Sequence, residues 1–456
     1  MAINGTQGDD FFRGTRFNDE IFGLGGNDVF NGSRGEDRLD GGQGVDSVSY
    51  FDSLVLNIPI PGGAVDVDLE RASQIGGLAD GDVLVSIENV EGSKEDDVIR
   101  GNNVANELLG NGGNDVLEGR GGDDILRGDF GGFVAGDLNG EDILDGGSGN
   151  DQLFGEGGND TLIGGTGVNR IDGGAGIDTA SYAGFANGVL VSLVGTSGNG
   201  IALGLGSTDV DTLFGIENIT GSSFADQLSG SAVAKVINAG GGNDLILGGA
   251  GADTLSGGSG VDTASYAGST ASVDVDLGIL TVLNINSVPF IIQTAAGSGT
   301  GGDAQGDVLN LVENLTGSNF ADTLTGNLIA NRLDGGRGGD TIDGGAGNDI
   351  IVGGSGAGFD ILTGGAGADN FQFLSRDDSR VINGSVQDFI ADFRVGEDLL
   401  DLSALNVSAG NIIILNGPVS TLGVDDNGNG SFDNGEFAIS VTIDGGGLLG
   451  LGDLIL

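Results

Sequence analysis

Residues 146–181, broken every nine residues, read GGSGNDQLF, GEGGNDTLI, GGTGVNRID and GGAGIDTAS. An acid or amide recurs at Asp151, Asp160, Asn169 and Asp178. Two residues after each stands an apolar side chain: Leu153, Leu162, Ile171 and Ala180. Glycines fill the turn before each acid. Glycine supplies the φ > 0 conformations that reverse a chain tightly, and it leaves its carbonyl oxygens unshielded. The period reads as a six-residue turn followed by a three-residue strand whose apolar side chain points inward.

The same register runs through four blocks. In residues 1–48 the acids are Asp10, Asp19, Asp28, Asp37 and Asp46. In 92–180 the positions are Asp97, Asn106, Asp115, Asp124, Phe133, Asp142, Asp151, Asp160, Asn169 and Asp178. Residues 221–264 carry Asp226, Lys235, Asp244, Asp253 and Asp262. Residues 317–373 carry Asp322, Asn331, Asp340, Asp349, Asp360 and Asp369, with the turn before Asp360 enlarged by two residues.

This pattern resembles the RTX, or haemolysin-type calcium-binding, repeat family. The resemblance implies an all-β chain, a right-handed parallel β-roll or β-solenoid with a calcium ladder along each edge. Two nonapeptides close one coil, so residues 18 apart stack at about 4.8 Å. Asp160 is then expected over Asp142, and Asp178 over Asp160. A hard cation needs roughly six to eight oxygens. Two stacked carboxylates and the carbonyls of their turns are suited to supply them. The metal ligands expected are the repeat aspartates named above. Two carboxylates about 5 Å apart repel by about 3 kcal/mol at an effective dielectric near 20, so folding is expected to require calcium. Pairing aspartates across the blocks gives about 12 or more calcium ions, which bring the net charge of −51 to about −27. Phe133 cannot ligate, so a gap is expected there. Lys235 stands where Asn106 and Asn331 stand in sister blocks, and no ion is expected between the Lys235 and Asp253 turns.

Between the blocks the register breaks, at 49–91, 181–220 and 265–316. Each interruption runs from a Ser-Tyr pair to a Glu-Asn pair: Glu88-Asn89, Glu217-Asn218 and Glu313-Asn314. A turn or cap role is expected for these glutamates, with strands that continue the solenoid in longer coils. The third interruption adds an apolar piece, 279–292, which reads either as a contact surface or as an internal strand pair.

After Asp369 the pattern changes to NFQFLSRDDSRVINGSVQDFIADFRVGEDLLDLSAL. Residues 364–405 resemble the C-terminal cap of RTX proteases, although no protease motif accompanies them. Residues 374–456 are therefore expected to form a β-rich cap and secretion signal, with Phe371, Phe373, Phe389 and Phe393 covering the last coil. Asp425, Asn427, Asn429, Gly430, Asp433 and Glu436 fall at positions 1, 3, 5, 6, 9 and 12 of an EF-hand loop. The FAISVTI that follows is strand-like, so the loop reads either as a calcium loop between strands or as a polar hairpin turn. The final GDLIL is similar to type I secretion tails.

The chain has 456 residues, no Cys and no His. Disulfides, thiol nucleophiles, HExxH zinc sites and Ser-His-Asp triads are thereby excluded. A charge of −51 makes nucleic acid an unexpected partner. No apolar run reaches membrane-spanning length. MAINGTQGDD lacks a basic and apolar leader, and block one begins almost at once, so no catalytic module is expected ahead of it. The resemblance implies export by type I secretion machinery to the extracellular space or cell surface. The expected function is a secreted, non-enzymatic calcium-binding structural protein that self-associates into a surface layer, filament or matrix. The alternative is an adhesive or glycan-binding module for a cell-surface polysaccharide, which calls for an exposed aromatic or basic platform.

Overall fold

A three-residue strand presents its central side chain to one face and its outer two to the other. A computed structural model of the chain shows this alternation at most of the described repeats. The structure describes residues 2–51, 63–129, 140–195, 198–285, 288–356, 358–379, 381, 388–425, 427–428, 430–433 and 436–456. In Val98–Arg100, Val116–Glu118, Gln152–Phe154 and Thr161–Ile163 the central Ile99, Leu117, Leu153 and Leu162 are buried, and their neighbours are not. The chain is all-β; the helical pieces among the described residues are four 3-10 turns of three residues each.

The chain divides into two units, Met1–Ser222 and Ser223–Leu456. In the first, alternate strands enter two parallel rows. One row contains Val116–Glu118, Ile143–Asp145, Thr161–Ile163 and Thr179–Ser181. The other contains Glu107–Asn111, Ile125–Asp129, Gln152–Phe154 and Val168–Asp172. The second unit repeats the scheme, for example with Thr323–Thr325, Thr341–Asp343 and Ile361–Thr363 against Arg332–Asp334, Ile350–Val352 and Asn370–Gln372. Two facing parallel rows of inward Leu and Ile make the β-roll core.

The interruptions continue the solenoid. Ser47–Ser49 pairs in parallel with Asn89–Glu91, Thr179–Ser181 with Asn218–Thr220, and Thr263–Ser265 with Asn314–Thr316. Each interruption thus ends as the next coil of the block before it. In the second and third interruptions the middle folds into extra strands. Asn199–Gly204 runs antiparallel to both Val189–Val194 and Val210–Phe214. Gly297–Thr300 runs antiparallel between Asp274–Asp276 and Val308–Asn310. The apolar piece at 279–292 is a strand pair: Ile279–Ile285 and Val288–Ala295 form a two-stranded antiparallel ribbon.

At the C-terminus, Asp388–Phe393 and Leu399–Asp401 stack on Ile361–Thr363 and Asn370–Gln372, and Leu454–Ile455 pairs with Leu399–Asp401. Phe371, Phe373 and Phe393 are buried as expected. Phe389 is only half-buried. It pairs with Ile361 on the outward side, while Ile390 pairs with Leu362 inside. Phe437, packed edge-on to Phe373 at 5.1 Å, is a further buried aromatic.

Candidate metal ladders

The ladder aspartates are locked from coil to coil. Asp28, Asp115, Asp160, Asp244 and Asp340 each use Oδ1 to accept a backbone N–H one coil earlier. The donors are Asp10, Asp97, Asp142, Asp226 and Asp322, at 2.7–2.8 Å. Asp178 Oδ1 accepts from Asp160 at 2.9 Å, so Asp142, Asp160 and Asp178 stack as their spacing requires. This bond fixes the rotamer and occupies one carboxylate oxygen.

The second oxygen is left over. Among the described residues, Oδ2 is buried without a hydrogen-bond partner in Asp28, Asp46, Asp115, Asp124, Asp142, Asp151, Asp160, Asp178, Asp244, Asp253, Asp262, Asp340, Asp349 and Asp369. A buried anionic oxygen with no donor is costly, and in a native site it implies a missing partner. The glycine that opens each turn shows where that partner fits. A Cβ on Gly110 would meet Asp115 Oδ2 and the Gly128 carbonyl; on Gly128, Asp142 Oδ2 and the Gly155 carbonyl; on Gly155, Asp160 Oδ2 and the Gly173 carbonyl. Carboxylate and carbonyl oxygens therefore converge on a concavity that only glycine leaves open. Among the described residues no three acidic side chains gather to hold an ion, so a site here draws most of its oxygens from carbonyls. All-oxygen donors of this kind suit a hard cation such as calcium.

Burial raises the carboxyl pKa values strongly. Asp115, Asp142 and Asp340 are pushed up to about 8, first by desolvation and then by neighbouring aspartates. Asp124 and Asp349 reach about 7, and Asp151, Asp160 and Asp178 about 6, again chiefly from burial. A cation between the coils reverses both causes, because it solvates the charge and screens the repulsion.

Five of the expected ligands sit in a different turn. Oδ2 of Asp10, Asp19, Asp37 and Asp322 accepts the hydroxyl of Thr6, Thr15, Ser33 and Ser318 respectively, while Asp97 receives the Ser93 hydroxyl on Oδ1 and the Ser93 N–H on Oδ2. Asp226 N–H bonds to Asp244, and Asp360 N–H to Asp388 Oδ1 at 3.0 Å. Lys235 is buried and its N–H donates to Asp253 Oδ1 at 2.8 Å. Its ammonium acts on Asp253 against the upward effects of burial and Asp307.

The gap expected at Phe133 does not break the ladder. Asp115 N–H reaches Asp142 Oδ1, and Asp124 N–H reaches Asp151 Oδ1, each 27 residues on. Phe133 itself lies outside the described residues.

Several rungs escaped the sequence pattern. Asp82 and Asp307 accept the N–H of Asp37 and Asp253 at 2.9 Å, and Asp211 accepts Asn169 Nδ2 at 2.8 Å. Each faces the tyrosine of its own Ser-Tyr pair. Tyr50 and Tyr266 donate to Asp82 and Asp307 at 3.1 and 3.0 Å, and Tyr182 is buried beside Asp211. The interruption glutamates are rungs as well: Glu88, Glu217 and Glu313 accept the N–H of Asp46, Asp178 and Asp262 at 2.8–3.0 Å. Asp398 extends a ladder from Asp369 into the cap. Asp129, in the place of a second turn glycine, is buried with Oδ1 unpartnered and is pushed up to about 7, chiefly by burial.

The Asp425 loop joins Ser420–Val424 to the antiparallel Ala438–Ile443, so its flanks are strands. Asp425 accepts the N–H groups of Gly428 and Gly430, Asn427 Nδ2 donates to Asp433 and Glu436, and Asp433 N–H donates to Glu436. Asn429 lies outside the described residues.

A family model described as RTX calcium-binding nonapeptide repeat (4 copies) matches residues 4–39, 13–48, 100–132, 138–171, 145–180 and 236–264. One described as Peptidase M10 serralysin C terminal matches 304–434. No curated protein sequence matches the chain. Among solved structures, the AlgE6R3 subunit of the Azotobacter vinelandii mannuronan C5-epimerase is 31% identical, covering 30% of this chain and 78% of its own, with a TM-score of 0.25. The extracellular lipase LipA from Serratia marcescens is 15% identical, covering 94% of this chain and 62% of its own, with a TM-score of 0.21.

Proposed function

We propose that this chain, an RTX calcium-binding repeat protein with a serralysin-type C-terminal domain, is a secreted structural protein whose β-roll folds on calcium and assembles outside the cell. The observation that carries the reading is the row of buried, partnerless Oδ2 atoms facing glycine carbonyls across successive coils. Each bound ion cancels two charges of a −51 chain. Copies so acidic repel one another, and loaded ladders relieve that repulsion. The assembly envisaged is a surface layer, filament or matrix. Light scattering separates the states: filaments or lattices in millimolar calcium, monomers in chelator. A strictly monomeric protein at high concentration in calcium sinks the assembly reading.

One observation favours the adhesive alternative. Arg127, Phe154, Arg170 and Phe214 alternate on the outward side of one sheet. The guanidinium of Arg127 lies 4.2 Å from the Phe154 ring centre, and that of Arg170 lies 4.1 Å from Phe214 and 5.6 Å from Phe154. Such a strip suits a sugar face and an acidic substituent. Calcium-dependent retention on an acidic polysaccharide, lost in Phe154→Ala, is its test.

A further inference from the structure

The ladder turns fall into two classes, and the residue after the opening glycine divides them. In one class it is left-handed. Gly42, Gly147, Gly174, Gly249 and Gly345 have φ of 88–98°. Where this residue is not glycine, as at Leu24, Asn111, Arg120 and Glu156, φ is still 69–86°. The aspartates of these turns keep a buried, partnerless Oδ2, as in Asp28, Asp46, Asp115, Asp124, Asp151 and Asp160. In the other class the residue has no positive φ: before an aspartate it is Thr6, Thr15, Ser33, Ser93 or Ser318, and before the amide rungs Asn106 and Asn331 it is Asn102 and Asn327.

With the left-handed turn gone, the turn closes on its own carboxylate. The N–H groups of Thr6, Thr15, Ser93 and Ser318 donate to Oδ2 of Asp10, Asp19, Asp97 and Asp322 at 2.5–2.6 Å. Their hydroxyls donate to the same carboxylates at 2.7–2.9 Å. The hydroxyl oxygens in turn accept the N–H two residues on, in Gly8, Phe17, Glu95 and Phe320, at 3.0–3.3 Å. No described aspartate of this class has a partnerless Oδ2. Ser231 supplies a natural control. It stands at the same turn position four residues before Lys235, where no carboxylate is present, and its buried hydroxyl has no partner.

We propose that Thr6, Thr15, Ser33, Ser93 and Ser318 are specificity-determining residues that stand in for calcium: their hydroxyls, joined by the amides of Thr6, Thr15, Ser93 and Ser318, saturate the ladder carboxylate, so these turns close without an ion. The inference rests on the reading that left-handed turns take calcium. It confines the metal to part of each ladder, and it places ion-free turns at the openings of the first, second and fourth blocks and at the Ser33 turn inside the first. Those openings then hold their shape at calcium concentrations that leave the remaining turns unfilled.

Native mass spectrometry of the full chain in calcium tests it by ion count. Ser93→Gly and Ser318→Gly restore the left-handed residue and remove the hydroxyl; each is expected to carry one ion more than the unmodified chain. Leu24→Ser, at an exposed position, is the converse and is expected to carry one ion fewer. Ser318→Thr keeps the latch and the original count. An unmodified chain that binds calcium while both glycine variants and Leu24→Ser keep its ion count overturns the latch. An unmodified chain that binds no calcium overturns the underlying reading instead.

Discussion

Asp142 accepts the N–H of Asp115 through Oδ1 at 2.7 Å, while its Oδ2 lies buried with no partner beside the Gly155 carbonyl. One side chain thus joins two coils and exposes an unmet negative charge to the joint. A carboxyl pushed to about 8 opposes folding by roughly 4 kcal/mol at pH 7. Asp115 and Asp340, raised in the same direction, add to this opposition. Circular dichroism is expected to show loss of β-structure in excess chelator and its return in millimolar calcium. Unchanged β-content in chelator contradicts this.

Acid is expected to substitute for the metal in folding. Asp115, Asp142 and Asp340 are raised in the fold from 3.8 to about 8. The protonated fold is then favoured most below about pH 4, and that favour is lost as pH rises through 8. In chelator, β-content is expected to grow as pH falls from 8 to 5. Calcium affinity is expected to weaken over the same interval, because protons and ions compete for Oδ2. Titrations by circular dichroism and by calcium electrode should therefore run in opposite directions.

Asp142→Asn separates the charge from the geometry. Its Oδ1 still accepts from Asp115, and its amide can donate to a carbonyl, as Asn106 and Asn331 do to Glu88 and Glu313 at 2.7 Å. In chelator the variant is expected to gain about 1–3 kcal/mol by removing a buried anion. In calcium it is expected to melt earlier than the unmodified chain. Thermal melts in both buffers check the crossing; a shift of the same sign in each refutes it.

The three tyrosines are expected to fasten the interruptions. Tyr266→Phe strips the donor from Asp307 Oδ2 in a buried site, at a cost of about 1–3 kcal/mol. Tyr50→Phe is the parallel case at Asp82. Urea midpoints in saturating calcium should fall in both, with unchanged m-values. A midpoint equal to the parent's means the hydroxyl contributes nothing.

The nine-residue register made the strands, the core leucines and most rungs legible from sequence, because local turn chemistry and stacking repeat together. It failed where sequence distance and spatial distance part. Asp82, Asp211 and Asp307 lie 45, 42 and 54 residues from Asp37, Asn169 and Asp253, far beyond the 18 residues of one coil, so no adjacent repeat marks them. Glu88 was legible as a cap, but its service as a rung depends on a carboxylate one methylene longer reaching back to Asp46. Around Phe133 the count of nine misled, because the ladder bonds there span 27 residues instead of 18. The serine and threonine latches were invisible, since a hydroxyl beside a glycine turn reads as ordinary loop chemistry until its partner is seen.

The last coil depends on residues beyond the repeats. Asp388 and Asp398 accept the N–H groups of Asp360 and Asp369 at 3.0 Å, so the cap supplies the final rung of each ladder. The segment after Asp369 also holds Phe371, Phe373, Phe393 and Phe437, all buried and each worth roughly 1.5–3 kcal/mol of apolar burial. Truncation after Asp369 uncovers Leu362 and leaves Asp360 and Asp369 without acceptors. The truncated chain is expected to need more calcium to fold, to bind an apolar dye in calcium, and to fail in export, while the 115–178 ladder still fills. A calcium titration and secretion assay that match the full chain contradict the role given to the cap.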